Sequence, residues 1–234
     1  MSDNTLNNLP GGFKGMAHDM GSDQTAFKGV QWGKFMMWIF LLSDTFIFSC
    51  FLISYMKGRS STVVDWPNTS EVFSLHVGSV PVPLLLIAIM TFVLITSSGT
   101  MALAVKFGYE KNRKMCAWLV LATAIGGLTF VGMQIFEWSK LIHEGVRPWS
   151  NPFGAKQFGS FFFMITGFHG VHVSIGVIFL FIFARKTFRG DFDTGKRGFF
   201  TSQKSDYVAI EILGLYWHFV DLVWVFIFAF FYLW

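Results

Sequence analysis

Charge is what this sequence has least of. Only 14% of its 234 residues are Asp, Glu, Lys or Arg, against roughly 25% in soluble domains. Proline falls to 6 and cysteine to 2. Cys50 and Cys116 both lie in apolar stretches and form no CxxC or CxxCH, which excludes a disulfide framework and a c-type haem attachment. P-loop, HExxH and GxSxG signatures are also missing. What replaces them is apolar. Hydrophobic residues make up 53% of the chain, with 30 Phe and 9 Trp, and the mean hydropathy is +0.52. That much aromatic surface exceeds what a soluble core of this size hides, so a water-soluble enzyme, a nucleic-acid-binding domain and a disordered chain are all excluded. The formal net charge of +4 therefore matters less than where the charges sit.

A nearly uncharged run of about 18 residues or more is long enough to cross the ~30 Å hydrocarbon layer as a helix. Five such runs occur, at about 35–56, 81–105, 115–136, 157–184 and 207–234. No run alternates with period two, as a membrane barrel would require, and no internal repeat supports an inverted-repeat transporter. The predicted fold class is thus all-α: an integral membrane bundle of five transmembrane helices over 35–234, preceded by a polar, glycine-rich tail at 1–34. Thirteen of the 18 basic residues fall before the first run, between the second and third, and between the fourth and fifth. The positive-inside rule then puts the N-terminus in the cytoplasm and the C-terminus outside. The tail has no apolar core or cleavage site of a signal peptide, so the first helix is expected to act as an uncleaved anchor. Trp138, Trp149, Tyr207, Tyr232 and Trp234 lie near span ends and suit an interfacial aromatic belt.

Ionisable side chains inside lipid are costly and require a partner or a task. On the fifth helix Glu211, Gly214, His218, Asp221 and Val225 are spaced 3, 4, 3 and 4, one stripe about 80° wide. Trp217 and Trp224 lie to one side of it. His218 and Asp221 are one turn apart and can pair directly. The stripe reads either as polar glue between helices or as a proton relay or ligand set. On the fourth helix His169 and His172 are also one turn apart, flanked by Gly167, Gly170 and Ser174. They are either hydrogen-bonded packing residues or, one of them with His218, ligands to a haem. Asp44, alone near the middle of the first helix, is either a proton-exchanging group or a neutral hydrogen-bond donor to another helix. Glu137, at the end of the third helix and one turn after Gln134, is expected to be solvated.

Four stretches resemble subunit III of the haem-copper respiratory oxidases, the cytochrome c oxidase subunit 3 family, in its five-helix bacterial form. They are Trp38-Ile-Phe-Leu-Leu-Ser-Asp-Thr-Phe-Ile-Phe48; Gln134-Ile-Phe-Glu-Trp138 followed by Glu144-Gly145 and Asn151-Pro-Phe-Gly154; Phe161-Phe-Phe-Met-Ile-Thr-Gly-Phe-His-Gly-Val-His-Val173; and Tyr216-Trp-His-Phe-Val-Asp-Leu-Val-Trp224. Their order and spacing match over residues from about 35 to 234. The resemblance implies a non-catalytic subunit of an aerobic terminal oxidase of the cytochrome c oxidase type. Such a chain packs against the haem- and copper-bearing subunit I beside subunit II, binds phospholipid, and steadies proton uptake and turnover. It implies no haem or metal in this chain, a bacterial cytoplasmic membrane location and room for a respiratory supercomplex among the partners. The matching positions Asp44, Glu137, His169, His172, Trp217, His218, Asp221 and Trp224 would then hold helices together. Two features depart from the pattern: the residue after Ser43 is Asp44 where the family has Glu, and the two helices that precede it in seven-helix members have no counterpart.

The histidine count points the same way. A subunit with two haems and a copper needs about six membrane-depth histidines. Of six here, His18, His76 and His143 lie in the tail or loops. Within the family, a quinol oxidase or a nitric-oxide-reductase-like complex is the alternative setting. Outside it, the rivals are a b-haem protein using His169 or His172 with His218, and a proton conductor using Asp44, Glu211 and Asp221.

Overall fold

The computed structural model describes residues 32–68, 72–77, 80–193 and 207–233; most of the expected tail and Trp234 lie outside them. Five helices are long and apolar enough to cross a membrane. They are α1 (Trp32–Ser61), α2 (Leu85–Tyr109), α3 (Arg113–His143), α4 (Gln157–Arg189) and α5 (Val208–Phe228). A π-helical turn, Ala229–Leu233, continues α5. Between α1 and α2 lies an antiparallel hairpin, β1 (Ser74–Val77) and β2 (Val80–Pro83), in which Ser74 faces Pro83 and Val77 faces Val80.

That hairpin corrects the expected start of the second helix at Pro81. In Val80-Pro-Val-Pro83 each proline pushes its predecessor out of the helical region and lacks an amide hydrogen. Helix begins only after Leu84, whose φ of 60° makes the corner. At other ends the helices outrun the predicted spans, because charged side chains such as Arg59, Arg113 and Arg189 continue the coil beyond the apolar stretch.

Helices α2, α3, α4 and α5 close into a bundle in which α5 also touches α2, and α1 lies outside, against α5 and α4. Burial follows this order: half of the apolar window of α5 is buried, but only 17% of that of α1. The centre of the bundle is Trp217, fully buried on α5. Its Nε1–H donates to Ser97 Oγ of α2 at 3.1 Å. Glycines on α3 and α4 make room for the ring. A Cβ on Gly127 would lie 2.9 Å from one Trp217 ring carbon and 2.7 Å from Val177, and a Cβ on Gly176 would lie 3.0 Å from the same ring. Two turns on, Trp224 donates to Thr91 Oγ1 at 3.0 Å and packs edge-on to Phe130 at 4.7 Å.

The side of the membrane that holds the start of α1, the α2–α3 corner and the end of α4 is here termed the N-side; the opposite side is the C-side. On the N-side Asp193 accepts hydrogen bonds from Arg113 at 3.3 Å and from Tyr207 at 2.7 Å. Burial, then the neighbouring Asp193 carboxylate, holds the Tyr207 phenol above its usual pKa.

Candidate functional site: a polar layer at the bundle midplane

Ionisable residues from three helices lie at one depth. Asp44 is near the middle of α1, His169 and His172 of α4, and His218 and Asp221 of α5.

The α1–α4 contact is polar. His172 Nδ1–H donates to the Phe168 carbonyl at 2.8 Å, since a carbonyl can only accept. Nε2 then faces Asp44 Oδ1 at 3.5 Å. Asp44 is only 3% exposed, and its Oδ2 has no hydrogen-bond partner among the described residues. The Tyr216 hydroxyl of α5 donates to the His172 carbonyl at 2.9 Å, so three helices meet here.

His169 is fully enclosed. Its Nε2–H donates to the Val220 carbonyl of α5 at 3.1 Å, and its ring packs against Phe130, Trp224 and Phe48. With Nε2 engaged and both sides of the ring covered, this imidazole has the geometry of a packing residue.

His218 and Asp221 form no direct ion pair among the described residues, which corrects the expected contact. His218 meets α2 instead: its Nδ1 lies 2.6 Å from Ser98 Oγ, while Asp221 Oδ1 has no hydrogen-bond partner among the described residues. One-turn spacing brings the two residues to one face, but the α2 hydroxyl takes the imidazole. Glu211, the remaining ionisable member of the stripe, lies at the N-side end. It pairs with Lys34 Nζ of α1 at 2.7 Å and accepts from the Tyr109 hydroxyl of α2.

Glu137 corrects a second expectation: it is buried, at 3% exposure. Gln134 Nε2 donates to its Oε2 at 2.9 Å, and the Tyr232 hydroxyl donates to the carboxyl at 3.3 Å. The π-helical turn swings Tyr232 inward against Phe73, 4.5 Å between ring centres, and together they roof the end of α3. Tyr232 and Tyr207 are therefore core rather than belt residues, whereas Trp149 is 73% exposed.

A groove with a cavity of about 530 Å³ separates α1 from α4 and α5. It runs from Gly33 and Phe183 on the N-side to His172 and Tyr216 at the midplane, with almost wholly apolar walls that include Phe40 and Ile212. Lys186 Nζ lies 5.6 Å from the Phe183 ring near its mouth. Among the described residues no group of three or more His, Cys, Asp or Glu is placed to hold a metal ion.

Sequence reasoning missed Ser98, Lys34, Tyr109 and the partnership of Tyr232 with Glu137. The Ser97-Ser98 pair inside an otherwise apolar run was the available signal for the first.

Residues 13–234 match the family model described as cytochrome c oxidase subunit III. Among similar proteins, the probable quinol oxidase subunit 3 of Staphylococcus epidermidis is 32% identical over 215 residues, covering 92% of this chain and 94% of the relative. That of Staphylococcus saprophyticus is 31% identical over 216 residues, with the same coverage, and that of Staphylococcus aureus 29% over 214. The five membrane-length helices and the match across nearly the whole sequence agree: this chain belongs to the cytochrome c oxidase subunit III family and is a multi-pass subunit III of a haem-copper oxidase.

Proposed function

We propose that this chain is the non-catalytic, lipid-holding subunit III of a quinol-oxidising haem-copper terminal oxidase in a bacterial cytoplasmic membrane. It packs against the catalytic subunit I beside subunit II. Haems and copper reside in those partners, and this chain steadies proton uptake and turnover. Its N-side is cytoplasmic, in accord with the excess of Lys and Arg there.

The observation that carries the non-catalytic role is the engagement of the two midplane imidazoles of α4. His169 holds a backbone carbonyl of α5, and His172 holds its own helix and faces Asp44. Side chains committed in this way knit helices. The apolar groove ending at His172, with Lys186 near its mouth, supports phospholipid binding: an acyl chain fits the walls and an anionic headgroup fits the lysine. The relatives named quinol oxidase subunit 3 favour quinol over cytochrome c as the donor to the assembled enzyme.

The test is purification of the complex through a tag on this chain in mild detergent. A haem spectrum, a larger histidine-rich chain in the mass spectrum, and oxygen consumption with a quinol but not with reduced cytochrome c are expected. Recovery of the chain alone refutes the assembly, and turnover with cytochrome c replaces the donor. Selective removal of this chain should leave initial turnover intact and shorten its duration; an unchanged lifetime removes the steadying role.

A further inference from the structure

We infer that the outer face formed by α2 and α5 is covered, in the assembled oxidase, by a transmembrane helix of another subunit that presents a polar, hydrogen-bonding side chain at the bilayer midplane. This rests on the subunit reading above and specifies which surface makes the contact and by what chemistry.

The other ionisable groups at this depth, Asp44 and His169, are enclosed, and His172 is joined to Asp44. His218 and Asp221 are only partly buried, as is Ser98 beside His218. They lie midway along α5 and α2, where exposure of a polar ionisable side chain to hydrocarbon costs most. His218 Nδ1 is engaged by Ser98 Oγ at 2.6 Å; among the described residues its Nε2 has no partner, and neither has Asp221 Oδ1. Bare polar atoms on a lipid-facing surface are unfavourable, whereas ones met by a hydrogen-bonding group of a neighbouring helix are stabilised.

The surroundings suit a close approach by a helix. Ile95 is 51% exposed, Leu222 55% and Val225 39%, and they frame the polar set with apolar contacts. Beside Ser98, Gly99 is exposed, and a Cβ there would meet nothing within 4 Å, so a backbone can come near. The outer face of α1 differs. Leu42 and Phe46 are 69% and 72% exposed with no ionisable group beside them, as suits lipid.

The open glycines give a test that leaves this chain's own fold intact. Gly99, Gly132 and Gly170, on α2, α3 and α4, each have empty space where a side chain would start. The variants G99W, G132W and G170W are placed in the whole oxidase, which is purified through a tag on the haem-bearing subunit. Retention of this chain should fall by about tenfold or more in G99W, as expected for an obstructed interface centre, and stay near wild type in G132W and G170W. Parity of G99W with the other two overturns the inference. Independently, a benzophenone side chain at Leu222 should photocrosslink to another oxidase subunit, while one at Leu42 should label lipid. Lipid adducts alone at Leu222, or a crosslinked pair of copies of this chain, also overturn it. Absence of the unsubstituted chain from the haem-bearing fraction would instead remove the subunit reading.

Discussion

Removing the Tyr232 hydroxyl measures whether Glu137 is as isolated as its surroundings indicate. Gln134 and Tyr232 supply the hydrogen bonds to the carboxyl seen here, at 2.9 and 3.3 Å, in a site that is 3% exposed. Tyr232→Phe deletes one donor and leaves the ring packing with Phe73 in place. A buried polar group that loses its partner costs about 1–3 kcal/mol, and one at the solvated end of a helix costs almost nothing. The long 3.3 Å contact favours the lower part of that range, about 1–2 kcal/mol. Glu137→Gln keeps an acceptor for both donors and should cost less. Their double variant should fall short of additivity by about 0.5 kcal/mol or more, as groups in direct contact do. The assay is equilibrium unfolding in mixed micelles, followed by tryptophan fluorescence, for the four members of the cycle. Additive effects, with Tyr232→Phe within about 0.3 kcal/mol of wild type, would refute the enclosed site and restore the solvated one.

Gly127→Ala should destabilise the bundle by about 1–3 kcal/mol through overpacking, because its Cβ meets Val177 and the Trp217 ring; unchanged micellar unfolding would mean that the ring is seated elsewhere. Asp44→Asn should leave assembly near wild type, since an amide can donate to His172 Nε2, and alter turnover lifetime if it alters anything; loss of the chain from the purified complex would show that an ionised pair is required. Filling the groove with Ile212→Trp should remove a phospholipid from the purified complex, read by native mass spectrometry, and an unchanged lipid count would refute the lipid assignment. Lys34→Ala should cost no more than about 1 kcal/mol, because Lys34 and Glu211 are 28% and 24% exposed and Tyr109 still bonds the carboxylate; a larger loss in the same unfolding assay would show that the pair fixes α1.

Length and hydropathy made the five helices legible, because lipid offers the backbone no other partner. The polar stripe on α5 was legible from its 3-4-3-4 spacing, but its outcome was not. Whether His218 meets Asp221 or Ser98 depends on the approach of α2, and spacing within one helix carries no information about a second. Glu137 was misplaced for a related reason. Its position at a helix end predicted water, and the residues that exclude water, Phe73 and Tyr232, arrive from distant parts of the chain. The hairpin before α2 was written locally, in two prolines, but charge counting passes over proline.

The peripheral place of α1 has a consequence for how the protein is made. Of the five described membrane-length helices, the earliest in the sequence packs chiefly on the last two, and only 17% of its apolar window is buried. When α1 enters the bilayer, Asp44 has no imidazole to face, because His172 is still untranslated. Meanwhile α2 and α3 can zip together as soon as both are present, with Thr100 and Thr123 hydroxyls meeting at 2.8 Å. Helix α1 therefore waits in lipid as a loose strut while the rest assembles. Any shortage of α4 or α5, by truncation or slow insertion, would strand the Asp44 carboxyl at membrane depth without its facing imidazole.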